Sequence, residues 1–268
     1  MSAQLAIITG ASSGLGQTFA QHLAQQGWDL FLTGRRTKRL QSIQTQLKQK
    51  HGIQVHIQCA NLLKAKELQD LIDKISQLQR IDMLINNAGF GNRNDFYKAS
   101  YNEQNQMLQV HITAAARIIH EVVPKMKHRK KGAIINVSSL CAYMPAPLSY
   151  FYCSSKAFLV SLSECMHIDL QKHNISVQAL CPGFIETEFH SRMGLITARS
   201  WLEQKLLWMK ENDVVSISLR HLSSNKVICI PGFINKFIYH SVLFLPKCLY
   251  YKISAIQSNK LKTSHLIA

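Results

Sequence analysis

Acidic residues are scarce in this chain. Its 268 residues carry 15 Asp and Glu against 31 Lys and Arg, a formal net charge of +16. From Val214 onward there is no acid at all, while Arg220, Lys226, Lys236, Lys247, Lys252, Lys260 and Lys262 supply seven positive charges. Such an imbalance favours an acidic partner, either an anionic lipid surface or nucleic acid. No helix-turn-helix or other nucleic-acid motif accompanies the charge, so nucleic acid is not expected. Cys-x-x-Cys pairs are also missing. The seven cysteines (Cys59, Cys141, Cys153, Cys165, Cys181, Cys229 and Cys248) are scattered and odd in number. That excludes a disulfide framework or a structural metal as the expectation and points to a reduced, cytoplasmic compartment. No secretory leader is expected, because the apolar run Leu5 to Ile8 is too short. A membrane span needs roughly 20 uninterrupted apolar residues, and none is expected here. There is neither an internal repeat nor a low-complexity linker, and one α/β domain is the simplest count for this length.

What is present is a regular alternation. Strand-like apolar runs lie near residues 4–9, 29–33, 53–58, 81–86, 132–138, 175–181 and 226–230, with helical patterns between most of them. This predicts a doubly wound α/β sandwich: a mostly parallel seven-stranded sheet with helices on both faces.

The chemistry centres on Tyr152 and Lys156, four residues apart, with Ser139 upstream at the end of the strand-like run Ala133–Val137. Positions i and i+4 share a helix face, so the Lys156 ammonium can approach the Tyr152 phenol. A neighbouring cation favours phenolate and is expected to bring the phenol closer to working pH. Ser139 can then hydrogen-bond an oxygen on which charge develops. Tyr152 is the only one of eight tyrosines followed by Lys at this spacing.

A source of electrons is suggested at the N-terminus. The strand-like Leu5–Ile8 runs into Thr9-Gly10-Ala11-Ser12-Ser13-Gly14-Leu15-Gly16, and Leu15, Phe19, Leu23 and Ala24 follow at helix-face spacing. Glycines let the backbone turn sharply against a pyrophosphate, and a helix start offers N–H groups and the positive end of a dipole. Gly10, Ser12, Ser13, Gly14, Leu15 and Gly16 are therefore the candidate phosphate site, with spacing Gly-x-x-x-Gly-x-Gly. After the second strand comes Gly34-Arg35-Arg36 with no acid. An acid near this strand end would take a ribose 2′-hydroxyl, whereas arginine suits a 2′-phosphate, so NADP(H) is preferred over NAD(H). The alternative is a pair of solvated arginines at a helix start.

These pieces resemble the short-chain dehydrogenase/reductase family, in particular a bacterial-type subgroup with a basic, apolar C-terminal tail. The likeness runs through Thr9–Gly16, Asn86-Asn87-Ala88-Gly89, Asn136-Val137-Ser138-Ser139, Tyr152–Lys156 and Pro182-Gly183-Phe184-Ile185-Glu186-Thr187, and covers about residues 3 to 190. It implies a Rossmann fold and an oxidoreductase interconverting a carbonyl and a secondary alcohol. It implies that Asn87, Ala88 and Gly89 line the adenosine side, that Pro182, Gly183, Ile185 and Thr187 hold the nicotinamide amide, and that Lys156 and Tyr152 also bind the cofactor. Where the family often has Asp-Leu, this chain has Asn61-Leu62, and an amide can still hydrogen-bond adenine. Where the family usually has a catalytic-relay asparagine, this chain has His111, which keeps the backbone carbonyl and adds a titratable imidazole. Family members often form dimers or tetramers through the helices around 103–127 and 150–172.

Two regions carry substrate and surface expectations. Residues 188–213 are expected to form a lid rich in apolar side chains (Phe189, Met193, Leu195, Ile196, Trp201, Leu202, Leu206, Leu207, Trp208, Met209), with Arg192 and Arg199 among them. With Tyr143, Met144, Pro145 and Leu148 they suggest an apolar or lipid-like substrate. Residues 232–268 form a basic extension to the 1–231 domain, which Pro246 should split into two amphipathic helices, with Phe233, Phe237, Ile238 and Leu245 as an apolar stripe. That stripe suits either packing on the domain or the inner face of an anionic membrane. The second functional reading is a catalytically silent, cofactor-binding scaffold at a membrane surface, with His111 as the lesion and the tail as the block.

Overall fold

The computed structural model describes residues 3–92, 95–188, 207–224 and 226–265, with side chains to residue 256. Seven parallel strands form one sheet: β1 (Leu5–Thr9), β2 (Asp29–Gly34), β3 (Val55–Cys59), β4 (Met83–Asn86), β5 (Gly132–Val137), β6 (Ile175–Leu180) and, after a two-stranded ribbon described below, β9 (Ile228–Cys229). Their order is β3-β2-β1-β4-β5-β6-β9. The order reverses beside β1, and in such sheets a ligand cleft opens at the carboxyl ends of the strands on either side of that reversal. All seven expected strands are present, with ends shifted by a residue or two.

Strands buried on both faces read as unbroken apolar runs, and β1 and β4 do so. Ala6, Ile7, Ile8, Leu84 and Ile85 are all fully buried. One layer covers the sheet with α1 (Gly14–Gln25), α2 (Thr37–His51) and α7 (Glu211–His221). Its core joins Phe19, Leu23, Leu40, Leu47 and Val215 to Ile8 and Leu32. The other layer is α3 (Ala65–Ser76), α4 (Tyr101–Leu108), α5 (Ala115–Arg129) and α6 (Tyr150–Leu170). There Leu71, Ile75, Ile118, Val122 and Leu170 meet Ile7, Leu84 and Ile134. The apolar positions of α1 expected from spacing (Leu15, Phe19, Leu23 and Ala24) all face the sheet.

Two features escaped the sequence pattern. Residues Gln109–Ala114 form a π-helical turn between α4 and α5, with His111 buried in it; such turns are often found at functional sites. The ribbon β7 (Phe184–Ile185) and β8 (Trp208–Met209) pairs in parallel across the cleft end. Of the apolar side chains expected in the lid, Leu207, Trp208 and Met209 fall within the described residues, each half-buried. Phe189, Arg192, Met193, Leu195, Ile196, Arg199, Trp201, Leu202 and Leu206 lie outside the described residues.

The tail does break at Pro246, into α8 (Phe233–Phe244) and α9 (Lys247–His265). Its expected stripe is not one face. Ile238 packs inward with Tyr239 against Leu140 and Val160, whereas Phe233 and Phe237 point out, 84% and 66% exposed. At 100° per residue, 233 and 237 lie on one side of a helix and 238 on another, which is the geometric reason. Among the described residues no helix is long and apolar enough to cross a membrane.

At the far end of the sheet, Asp82 is buried and accepts hydrogen bonds from Arg80 Nε (2.6 Å), Arg129 Nη2 (3.0 Å) and the Leu5 N–H (2.9 Å). Burial pushes its carboxyl up, but these donors outweigh that and leave it below the usual carboxylate range. A depressed folded value means stability that is present above the unfolded value near 4 and is lost as pH falls through the folded one. Asp82→Asn is expected to lower the unfolding free energy by about 2 kcal/mol at pH 7, with the gap to the native chain narrowing below about pH 4. Urea titrations of both proteins at neutral and acid pH check this; an equal gap at both would remove the charge from the explanation.

Candidate active site

The cleft is built at the carboxyl ends of β1 to β6. The glycine turn comes first. Gly10 holds a left-handed φ of +66°, and a Cβ there would lie 2.9 Å from the Ala88 Cα. Only glycine accepts both conditions. Asn87 clamps this turn: its Nδ2 donates to the Thr9 and Gly10 carbonyls at 3.0 and 3.2 Å. Thr9 Oγ1 in return accepts from the Asn87 and Ala88 N–H groups at 3.0 and 2.9 Å. The start of α1 thus points at the cleft, and Ser13, its N-cap, makes no side-chain cap bond there. Uncapped first-turn N–H groups at a helix start are what a phosphate requires.

Gly10, Ser12, Ser13, Gly14, Leu15, Arg35, Arg36, Asn61, Leu62, Asn87, Ala88, Gly89, Ser139, Tyr152, Lys156, Pro182, Gly183, Ile185 and Thr187 all line this one cleft. Two expected residues do not. Gly16 lies beneath it, where a Cβ would sit 2.5 Å from Asn87 Nδ2, so it packs α1 against the clamp. His111 lies behind the wall. Phe90 and Glu188 line the cleft without having been expected.

At the β2 end of the cleft, Arg36 donates through Nε to Ser12 Oγ and through Nη2 to the Ser12 carbonyl, both at 3.1 Å. Its Nη1 meets Glu188 at 2.8 Å, and Arg39 meets the same carboxylate at 2.6 Å. Hydrogen bonds from Arg36 and then Arg39 hold the Glu188 carboxyl down at about 2. The two arginines that meet this carboxylate are Arg36 and Arg39, while Arg35 lines the cleft beside Arg36. Arg39 is one turn into α2, and its sequence position alone gave no sign that it turns back. Asn61 spends its Oδ1 on the Leu63 N–H at 3.2 Å.

At the reactive end, helix α6 is pinned to the sheet by buried polar bonds. Asn86 Nδ2 donates to Asn136 Oδ1 (3.0 Å), Asn136 Nδ2 to Ser163 Oγ (2.9 Å), and Ser138 Oγ to the Lys156 carbonyl (2.7 Å). Lys156 Nζ donates to the Val137 carbonyl at 2.8 Å and lies 5.7 Å from the centre of the Tyr152 ring. Ser139 hydrogen-bonds the Tyr152 phenol. The electrostatics depart from the expectation. Burial lifts the phenol above its ordinary value, and the hydrogen bond from Ser139 only partly offsets that. Burial also lowers Lys156 to about 8. Burial outweighs the one hydrogen bond that favours the phenolate, so the Tyr152 phenol is held neutral.

His111 is 1% exposed. Burial, then the Lys156 charge, hold its imidazole well below its usual value. Its Nε2 accepts from the Phe90 N–H at 3.0 Å, and its Nδ1 is 2.8 Å from Ser155 Oγ. Ser155 Oγ itself donates to the Tyr152 carbonyl at 2.9 Å. With Nε2 accepting, the proton sits on Nδ1 and is donated to Ser155. Gly89 makes room for the ring: a Cβ there would lie 2.8 Å from Nε2.

The sequence model of the short chain dehydrogenases matches residues 4–194. The chain belongs to that family. It is 32% identical over 189 residues to nodulation protein G of Rhizobium sp. (strain N33), covering 70% of this chain and 76% of that protein. It is 28% identical over 230 residues to the 3-oxoacyl-(acyl-carrier-protein) reductase FabG of Staphylococcus epidermidis, covering 85% and 94%. In three dimensions it is similar to a short-chain dehydrogenase from Sphingobium yanoikuyae in complex with NADPH, with a TM-score of 0.79 and 25% identity over 97% of this chain and 95% of that one. As a family member it is an NAD(P)-dependent oxidoreductase acting on a carbonyl or alcohol.

The value of Lys156 has a kinetic consequence. Its ammonium is present below about 8 and is lost as pH rises through that value. The kcat/KM for the reduced cofactor, which reports on the free enzyme, is expected to fall about tenfold per pH unit above that point. A profile flat to pH 10 would show that the Lys156 charge is not needed.

Proposed function

We propose that this protein is an NADP(H)-dependent reductase or dehydrogenase for an apolar carbonyl compound or its secondary alcohol. The observation that carries the cofactor choice is the pair Arg36 and Arg39 closed on one carboxylate at the cleft mouth. An arginine pair that grips a carboxylate there suits a ribose 2′-phosphate. In this reading the phosphate takes the place of Glu188. The Gly10–Leu15 turn holds the pyrophosphate, Asn61, Leu62 and Asn87–Gly89 border the adenosine half, and Pro182, Gly183, Ile185 and Thr187 hold the amide of the nicotinamide. When bound, the cofactor supplies or accepts the hydride. Tyr152 gives its proton to the carbonyl oxygen, Ser139 orients that oxygen, and Lys156 holds the ribose and stabilises the phenolate left behind. His111 is a positioning residue: through Ser155 it fixes the first turn of α6, which carries Tyr152. It stands behind the wall and does not obstruct the cleft, so the silent-scaffold reading gains nothing from it.

For the substrate, half-buried Tyr143 and Met144 and buried Leu148 are apolar side chains on the loop between Ser139 and Tyr152. The Staphylococcus relative, whose name makes it a 3-oxoacyl reductase, supports a ketone on an acyl chain. A panel of apolar ketones with NADPH and NADH in parallel tests the reading. Turnover is expected with NADPH favoured. Tyr152→Phe is expected to keep cofactor binding and lose at least 100-fold in kcat, and Arg36→Ala to raise KM for NADPH about tenfold with little change for NADH. Retained turnover in the first variant, or equal effects on both cofactors in the second, would refute the assigned roles.

Residues 1–231 are read as the catalytic domain and 232–268 as an extension that does two jobs. One side packs on the domain: Ile238 and Tyr239 join its core, and the Tyr250 hydroxyl donates to the Pro145 carbonyl at 2.9 Å. The other carries exposed Phe233, Phe237 and Phe244, with Lys236, Lys247 and Lys252 also exposed. Aromatics interleaved with lysines suit the headgroup region of an anionic bilayer, which would place this cytoplasmic protein peripherally on an inner membrane face. Self-association uses the outer faces of α4 to α6, where Tyr101 and Ile168 are exposed. Sedimentation with and without vesicles tests both. Binding to phosphatidylglycerol vesicles but not to phosphatidylcholine, lost in Phe233→Ser/Phe237→Ser/Phe244→Ser, is expected, with a dimer in free solution that Ile168→Glu makes monomeric. Equal binding by the triple variant, or a monomer at the outset, would remove the corresponding half.

A further inference from the structure

Two of the seven thiols meet beside the reactive end of the cleft. Cys141 lies in the turn Leu140–Ala142 that follows Ser139, and its N–H donates to Ser139 Oγ at 3.2 Å. Cys153 is the residue after Tyr152, in the first turn of α6, and is 7% exposed. Cys141 packs against the cluster that Cys153 forms with Met107 and Tyr152. Each cysteine is thus chained to one half of the Ser139–Tyr152 pair. The other five are differently placed. Cys59, Cys165 and Cys248 are exposed, on β3, α6 and α9. Cys181 and Cys229 are fully buried at the ends of neighbouring strands, and burial pushes both thiols up to about 12, so neither is a ready nucleophile.

We propose that Cys141 and Cys153 are a two-electron oxidation site, in which a peroxide joins them as a disulfide that ties the Ser139 turn to the first turn of α6 and shuts down turnover until a thiol reduces it. The shutdown rests on the assignment of Ser139 and Tyr152 as the reacting pair; the disulfide itself does not. Within the pair the roles differ. The Cys153 thiol donates its hydrogen bond to Cys141, which, with help from Ser139 and the Lys156 charge and against burial, lowers Cys141 to about 7. Cys153 is correspondingly raised, first by that same bond and then by burial. Cys141, half-buried rather than sealed, is the attacking sulfur. Its thiolate attacks one peroxide oxygen, the O–O bond breaks, and hydroxide leaves with a proton as water. Cys153 then attacks the Cys141 sulfur. The S–S bond forms, the S–O bond breaks, and the departing hydroxide takes the Cys153 proton as a second water. Two thiols are oxidised and one peroxide is reduced to two waters.

The cost to catalysis follows from geometry. The two packed sulfurs must close to about 2.05 Å in a disulfide. That movement draws the Ser139 turn and the Tyr152 turn together, and a misplacement of about 1 Å in a reacting group can cost about 100-fold.

Gly132 to Lys156 contains no internal Lys or Arg, so trypsin releases both cysteines in one peptide. After treatment of the full chain with hydrogen peroxide and then an alkylating agent, that peptide is expected to lack two hydrogens and to carry no alkyl group. Turnover is expected to fall at least tenfold and to return with dithiothreitol, and Cys141→Ser, or Cys141→Ala if the serine variant folds poorly, is expected to keep its turnover through the same treatment. A peptide alkylated at both cysteines, or carrying an added oxygen instead of the disulfide, would overturn the site. Equal loss of turnover in the Cys141 variant would overturn the link to catalysis. A disulfide formed in a protein that shows no turnover even when reduced would count against the enzymatic reading while leaving the oxidation site standing.

Discussion

A buried ammonium is the constraint around which the rest of this site is arranged. Lys156 is 5% exposed, and moving such a charge out of water costs roughly several kcal/mol. The fold offsets that cost with backbone rather than with a carboxylate. Its Nζ donates to the Val137 carbonyl, and Ser138, at the same strand end, holds the Lys156 carbonyl. A carboxylate partner would hold the charge in a fixed ion pair. A carbonyl leaves the cation able to act on a neighbouring phenol, and the residual penalty appears as the drop of Lys156 to about 8.

The same burial sets the state of the neighbours. Tyr152 is held neutral, and His111 is held neutral too. A neutral imidazole has one donor and one acceptor, and both are used, on Ser155 and on the Phe90 N–H. The buried histidine is thus accommodated by packing and hydrogen bonding. It needs the missing side chain at Gly89 and the wider π-helical turn at 109–114.

The surface divides by charge and by apolar exposure. The cleft faces one end of the sheet, and the acid-poor extension lies alongside it, joined through Tyr250 to Pro145 on the loop that precedes Tyr152. Events on α8 and α9 therefore have a physical route to the loop between Ser139 and Tyr152. That route is one hydrogen bond and a shared apolar cluster, not a long chain of couplings.

The sequence by itself determined the sheet, the glycine turn and the identities of Ser139, Tyr152 and Lys156, because these depend on local period and fixed spacing. Apolar runs at strand length can be buried only in a covered sheet, and the Tyr–Lys spacing is one turn of helix. The tertiary structure decided what depends on distant segments meeting. Arg39 joins Arg36 because Glu188, about 150 residues later, comes to both. Tyr152 goes up in pKa rather than down because burial, a property of the whole fold, is the largest influence on it. Phe233 and Ile238 part company because only the packed domain decides which side of α8 it covers. Cys141 and Cys153 are twelve positions apart in the chain, and they are partners because the turn after β5 folds back onto the start of α6.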